Sequence, residues 1–243
     1  MKGSLFASVV RVFSMKFHKL IHVYDGVYAF ITPSEFLKQK LSANGFEEEK
    51  IHCIPTFTAS KTKVGEPQIG SYGLYFGRIT EEKGVETVVQ AYEKLQKYTV
   101  KIMGDDTTDE AKRLKKYVEN HKMKNVEFLG FKSGAELENV IKGARFTLIP
   151  SIWYDNLPNT ALESFQYSKP VIASNIGSLP ELVIDGENGY LFKPSNVEDL
   201  IKKIKMLDDD TLVKKMGQAS RKRLESRFAP QTHYELSLIH ISE

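Results

Sequence analysis

An α/β domain, doubly wound around a parallel sheet, is the fold class that the 243-residue sequence predicts. Three observations carry that prediction. Short apolar runs recur along the chain, most of them continuous rather than alternating, as strands buried on both faces of a parallel sheet read. Gly, Pro or Asn bounds them. Between them lie longer amphipathic stretches, so that strand and helix alternate at about 25 residues per unit. The Rossmann-like sheet so predicted occupies 71–228, and a thinner, partial α/β unit precedes it.

The chain opens with an amphipathic helix. Phe6, Val9, Val10, Phe13, Phe17, Leu20, Ile21 and Tyr24 recur at steps of three and four, with Lys2, Arg11, Lys16 and Lys19 between them. Two roles fit a basic amphipathic helix: packing on a sheet, the commoner one, or peripheral contact with an anionic membrane. Arg11 and the lack of a clear cleavage site argue against a signal peptide. No run approaches the roughly 18 apolar residues of a membrane span.

Strands are then expected at "GVYAFIT" (26–32), "KIHCIP" (50–55), "YGLYFG" (72–77) and "TVKIMG" (99–104). Four more follow at "NVEFLG" (125–130), "RFTLIP" (145–150), "PVIAS" (170–174) and "GYLF" (189–192). Among the helices, "VETVVQAYEKLQ" gathers Val85, Val88, Val89, Tyr92 and Leu95 on one face, and "DEAKRLKKYVENH" gathers Leu114, Tyr117 and Val118. Ser133 with Glu136 three residues on has the spacing of a capping box. The polar stretch 57–70, without helical period, marks a linker. The expected division is therefore 1–56 as the end of a first unit, 57–70 as linker, 71–228 as main domain and 229–243 as tail.

Composition narrows the function classes. A net charge of +3 is too small to point to nucleic acid, and Lys-rich runs such as "KRLKK" read as solvated helix faces. Cys53 is the one cysteine, so neither a disulfide framework nor a cysteine metal site is available. In its strand it reads as a small buried apolar residue, and a cytoplasmic, reducing setting fits. His18 and His22 stand four apart without a third ligand nearby, so no metal site is expected.

In open α/β sheets ligands sit beyond the carboxyl ends of the strands, and three such ends here carry unusual chemistry. After the third strand comes "YFGRITEEKGVE". Gly77 admits a ligand to the backbone, and Arg78 and Lys83 follow as a fork and a point charge for a diphosphate. A surface loop pairing those cations with Glu81 and Glu82 explains the same stretch. After the fourth comes "IMGDDTTDE", where capping by Asp105 or Thr107 suffices. After the sixth comes "PSIWYDNLPNTALESF". Pro158 suits the first position of a helix running to about Tyr167, with Asn156 or Leu157 near its cap. The free N–H groups of that helix attract a phosphate or hydroxyl. Asp155 stands just outside the helix, and Glu163 lies roughly 8 Å along its axis from Pro158. That spacing suits one acid at each end of a sugar–diphosphate–ribose ligand. Capping by Asp155 and simple solvation of Glu163 is the plainer alternative, but Ala161, Leu162 and Phe165 surround Glu163 with apolar residues.

"GRITEEKG", "VEFLGF", "PSIWYDNLPNTALESFQYSKPVIAS" and "GSLPELVIDGENGYLF", in that order, resemble the donor-binding half of a GT-B glycosyltransferase, within the retaining group called glycosyltransferase family 4. The resemblance spans about 70–228, and "FITPSEFLKQKLSANGFEEEKIHCIP" resembles the end of that family's acceptor-side domain. It implies that Arg78 and Lys83 hold the diphosphate of a nucleotide sugar. It implies that Asp155 and the amides around Asn156, Leu157, Pro158 and Asn159 hold the transferred sugar, and that Glu163, with Gly77, Arg78 and Lys83, holds the nucleotide. It implies retention of configuration, no metal and no cofactor beyond the nucleotide sugar as co-substrate. The acceptor, whether glycan, lipid or small molecule, is left open.

Two departures stand out. Asp155 replaces the family's usual Glu, one methylene longer, and "NLPN" replaces the usual Phe-Gly. The beginning of the acceptor-side domain is expected to be absent, and the tail "ELSLIHISE" to be non-native at its end. A sugar-nucleotide-binding module, or a fragment that needs a partner chain, is therefore the alternative to an enzyme. A sugar-nucleotide epimerase of the same fold is a third reading, against which the two-acid motif argues.

Overall fold

The structure, a computed structural model, describes residues 5–21, 23–58 and 68–239. Its main body is a six-stranded, wholly parallel sheet of β3 (Tyr72–Phe76), β4 (Thr99–Met103), β5 (Val126–Gly130), β6 (Ala144–Ile149), β7 (Val171–Ser174) and β8 (Gly189–Phe192). The spatial order is β5-β4-β3-β6-β7-β8. The chain thus starts in the middle, winds outward to β5, returns past β3 and winds out the other way. Between β3 and β6 lies the switch point, where loops leave the sheet in opposite directions and open a crevice.

Helices α3 (Val85–Lys94), α4 (Asp109–Asn120), α5 (Gly134–Gly143), α6 (Asn159–Gln166), α7 (Leu179–Leu182), α8 (Val197–Met206) and α9 (Asp210–Arg227) connect and cover the strands. Strand side chains alternate between the faces. Tyr75 joins Val88, Val89 and Tyr92 of α3, Leu114 of α4 and Ile204 of α8 in one core. Leu74 and Phe76, one residue either way, join Met103 and Ile141 in another. Ala161, Leu162 and Phe165 of α6 pack with Leu182, Leu224 and Phe228 in a third. Each buried Val, Leu, Ile, Phe or Met among them contributes about 1.5–3 kcal/mol, which is why continuous apolar runs mark these strands.

The first unit is small. It has α1 (Leu5–Leu20), then β1 (Phe30–Thr32) paired in parallel with β2 (Ile51–Cys53) through α2 (Glu35–Ala43). The last helix, α10 (Pro230–Ile239), returns to it: His233 Nδ1 lies 2.8 Å from the Pro55 carbonyl, and its ring packs on Phe57. Most of the expected linker lies outside the described residues. No described helix is long and apolar enough to cross a membrane.

The eight expected strands all form, the first two shortened to three residues each. Four local expectations are corrected. The apolar face of α1 packs on no sheet: Val9, Val10, Phe13, Phe17 and Leu20 are exposed. Thr108, not Asp105 or Thr107, caps α4 by accepting from the Ala111 amide at 3.1 Å, because Asp105 accepts instead from the Thr107 amide and hydroxyl. Ser133 makes no capping bond, and Glu136 turns to Lys132 instead, 3.5 Å away. Cys53 is only partly buried; burial first, then Glu35, pushes its thiol up to about 12.

At the amino end of β7, Lys169 is buried and gives its three ammonium protons to the carbonyls of Gln68, Lys142 and Ala144, at 2.6, 2.6 and 2.7 Å. Those bonds tie the start of the main domain to α5 and β6.

Candidate functional site

The two loops that the sequence singles out lie on either side of the switch point. β3 ends at Phe76, and Gly77 follows with φ +144°. A Cβ at Gly104, after β4, would stand 2.0 Å from the Gly77 carbonyl, so the ends of β3 and β4 meet backbone to backbone. Arg78 is held by its main chain, whose carbonyl accepts from the Tyr75 hydroxyl at 2.5 Å. Its side chain is exposed and has no hydrogen-bond or ion-pair partner among the described residues.

A single 3-10 turn, Glu81–Lys83, then leads into Gly84. Gly84 has φ +65°, and a Cβ there would be 2.1 Å from the Pro150 carbonyl. Only glycine lets this turn lie directly on the end of β6. The Ile152 amide completes the junction by donating to the Glu82 carbonyl at 3.0 Å.

That junction brings Lys83 to Asp155. The ammonium pairs with Asp155 Oδ1 and the Ser151 hydroxyl donates to Oδ2, with 19% and 15% of the Lys83 and Asp155 side chains exposed. So Lys83 pairs with neither Glu81 nor Glu82, and Asp155 does not cap α6. The buried Tyr75 phenol registers the cluster: burial raises its pKa, Asp155 raises it further, and Arg78 opposes.

After Asp155 the backbone turns sharply. Asn156 is exposed and Leu157 is buried with φ +50°, a strained region for a branched side chain. Ser178 holds the strain in place: its hydroxyl accepts from the Leu157 amide and donates to the Asp155 carbonyl, both at 2.7 Å. Pro158 is the N-cap of α6 rather than its first residue, and no side chain caps the helix. In its first turn the Ala161 amide donates to the Pro158 carbonyl at 3.1 Å, which leaves the amides of Asn159 and Thr160 as the donors without an intrahelical partner.

Glu163 lies on the second turn of α6, partly buried beside Ala161 and Leu162. Burial raises its pKa, and its carboxylate has no hydrogen-bond or ion-pair partner among the described residues. An unpartnered carboxylate in such a place costs free energy.

Gly77, Arg78, Lys83 and Asp155 to Asn159 are thus gathered at one crevice, with Glu163 on the helix that forms its wall. A cavity of about 510 Å³ lined by Asp25, Tyr28, Glu49, Lys50 and His52 lies apart from it, in the first unit, and contains none of these residues. Sequence reasoning missed Ser151 and Ser178. Small hydroxyl residues carry no local signal: the partners of Ser178 lie 21 and 23 residues back in the chain, and Ser151 meets Asp155, four residues on, only because of how the intervening loop folds.

Residues 57–223 match the family model described as glycosyl transferases group 1. An uncharacterized glycosyltransferase from Methanocaldococcus jannaschii is 32% identical over 149 residues, covering 61% of this chain and 41% of that protein. A glycogen synthase from Mycobacterium tuberculosis is 30% identical over 186 residues, covering 72% of this chain and 42% of that protein. The chain therefore spans less than half the length of these curated relatives. Among solved structures, a glycosyltransferase from Rickettsia africae superposes with a TM-score of 0.82 at 22% identity, over 91% of this chain and 66% of that one. Anabaena HepE in complex with UDP and glucose superposes with a TM-score of 0.79 at 19% identity, over 89% of this chain and 63% of that one.

Proposed function

The chain belongs to the glycosyl transferases of group 1, and from that premise we propose that it is the nucleotide-sugar-binding half of a retaining glycosyltransferase. One observation carries the proposal: Lys83 and Asp155 pair at the switch point between Arg78, after β3, and Glu163, on α6, and Glu163 is partly buried with no partner among the described residues. A nucleotide sugar supplies what each lacks. Its diphosphate answers Arg78 and Lys83, and its ribose hydroxyls answer Glu163.

Arg78 is free to fork onto the diphosphate. Lys83 is held by Asp155 in the ligand-free protein and reaches the same phosphates by sharing its three donors. Asp155 then orients Lys83 with one oxygen while the sugar competes with Ser151 for the other. The amides from Asn159 and the side chain of Asn156 supply further donors to the sugar. As the bond between the sugar and the diphosphate breaks, negative charge gathers on the leaving phosphate, and the fixed charges of Arg78 and Lys83 stabilise it most at that moment. Attack from the same face keeps the anomeric configuration. The two side chains take the part of a metal, and no cofactor is called for.

The acceptor is a glycan, a lipid or a small molecule. Peripheral membrane contact on the cytoplasmic side, where it occurs, falls to the exposed apolar face of α1 beside Arg11 and Lys16.

Calorimetric titration with UDP, GDP and ADP tests the reading, with Glu163→Ala as control. One of them is expected to bind at micromolar strength, about −8 kcal/mol, and to lose that binding in the variant. No binding at all, or equal binding by the variant, contradicts the assignment.

A further inference from the structure

We propose that Glu181 and Ser34 are positioning residues through which the first α/β unit sets the geometry of the loop that takes the donor sugar. The proposal deepens the nucleotide-sugar reading and rests on it.

The segment from Gly177 to Leu182 is held on both sides. Toward the loop, Ser178 bridges Asp155 and Leu157, as described above. Gly177, at φ +62°, lies against the same backbone: a Cβ there would be 3.1 Å from the Asp155 carbonyl. Toward the first unit, three residues further on, Glu181 places its carboxylate on the start of α2. Its two oxygens accept from the Phe36 amide at 2.7 Å and the Glu35 amide at 2.9 Å, across 145 and 146 residues of chain. A helix start leaves its first amides without intrahelical partners and carries partial positive charge, so a bidentate carboxylate is well matched to it. The Arg223 side chain on α9 donates to the Glu181 carbonyl and backs the segment from behind.

α2 in turn touches the loop directly. The buried Ser34 hydroxyl donates to Asn156 Oδ1 at 2.8 Å and accepts from the Leu37 amide at 3.2 Å. With Oδ1 so engaged, the Asn156 amide nitrogen is the group left to donate to a sugar hydroxyl. Phe36 packs on Tyr154 with ring centroids 5.0 Å apart, and the Lys40 ammonium lies within 5.4 Å of both ring centres.

Asp155 and Asn156 are therefore gripped by Ser178 from within their own domain and by α2 from the other unit, and Glu181 keeps α2 in place. Of the phosphate-holding side, Gly77 to Lys83, only Lys83 touches this loop, through the Asp155 carboxylate, whose other partner is Ser151; the latch itself holds the Asp155 main chain and Asn156. The latch should accordingly govern what the sugar adds to binding and leave what the nucleoside diphosphate contributes alone.

Hydrogen exchange on the ligand-free chain and calorimetry with UDP, GDP, ADP and their glucose conjugates test this on Glu181→Ala, Glu181→Gln and Ser34→Ala. In Glu181→Ala, exchange in peptides 34–42 and 150–158 should rise by about tenfold, the factor that loss of a charge-assisted hydrogen bond gives. Protection of β7 should stay as it was, which shows that the domain is folded. Affinity for the nucleoside diphosphate should hold within about twofold while the glucose conjugate weakens by about tenfold, and Gln, which keeps one accepting oxygen, should fall between. Unchanged exchange at 150–158 in both alanine variants overturns the latch whatever the nucleotides do. Equal weakening of diphosphate and conjugate overturns the positioning role. Raised exchange in a protein whose wild type binds none of the six ligands supports the coupling of the two units and counts against the donor reading instead.

Discussion

Replacing Glu163 by Gln keeps the side chain's size and removes its charge, and the structure gives the two consequences opposite signs. Burial raises the carboxyl pKa in the folded chain, and nothing described pairs with it. A group whose folded pKa is raised holds its proton more tightly in the native state. Its contribution to stability is present below the unfolded carboxyl pKa and is lost as pH rises through the folded value. At neutral pH wild type therefore carries an ionised, partly desolvated carboxylate that the variant does not. A fully buried unsatisfied polar group costs about 1–3 kcal/mol. Partial burial places Glu163 at the lower end, about 1 kcal/mol, which raises the melting temperature of a domain this size by roughly 2–4 °C. That advantage should vanish near pH 4, where wild type is protonated as well. Binding moves the other way. Loss of a charged acceptor for the ribose costs about 1.5–3 kcal/mol, or roughly 10- to 100-fold in Kd. Thermal melts at two pH values, paired with calorimetry using the nucleotide that wild type binds, measure both. A variant that melts lower at neutral pH, or binds as tightly as wild type, refutes the reasoning.

Lys83→Ala should reduce turnover of the nucleotide sugar more than it reduces donor affinity, since its charge counts most as the leaving phosphate forms; equal losses in kcat and binding would argue against that role. Lys169→Met should cost about 2–4 kcal/mol in denaturant unfolding, because three carbonyls lose their donor together, yet leave nucleotide affinity unchanged, the residue being at the opposite end of the strands from the site. Burial draws the folded-state pKa of Lys169 from 10.5 to about 8, so between those values the unfolded chain binds the proton more tightly. The lysine's contribution to stability then rises with pH, and the gap between wild type and Lys169→Met should be wider at about pH 9.5 than at pH 7. A gap that narrows would show that the amine stays protonated in the fold.

Much of the fold was legible because it depends on pattern. The apolar runs at 72–77, 99–104 and 145–150 became β3, β4 and β6 since a strand covered on both faces has no polar side to display. The faces of α3 and α4 followed from helical period in the same way. Caps were read less well. Ser133, Asp105 and Thr107 are each able to cap, and which hydroxyl or carboxylate does so depends on a neighbour one or two residues away competing for it. The apolar face of α1 was visible in its spacing, but what it lies against is a matter of tertiary surroundings, and in this structure it faces solvent.

By itself the sequence singled out the residues on which the proposed function rests: two cations after one strand, two acids around the start of a helix, and glycines where another backbone approaches. Such features are local, set by residue type and spacing. Only the tertiary structure decided how they meet. Strand order put β3 beside β6 and opened the crevice between them. Gly84 against Pro150 brought Lys83 onto Asp155, so that the acid expected to face a sugar also holds a lysine. Ser178, Glu181 and Ser34 gained their roles from partners 21 to 146 residues away in the chain. A hydrogen bond forms over about 3 Å whatever the distance in sequence, and that separation in space is fixed by packing rather than by any pattern along the chain.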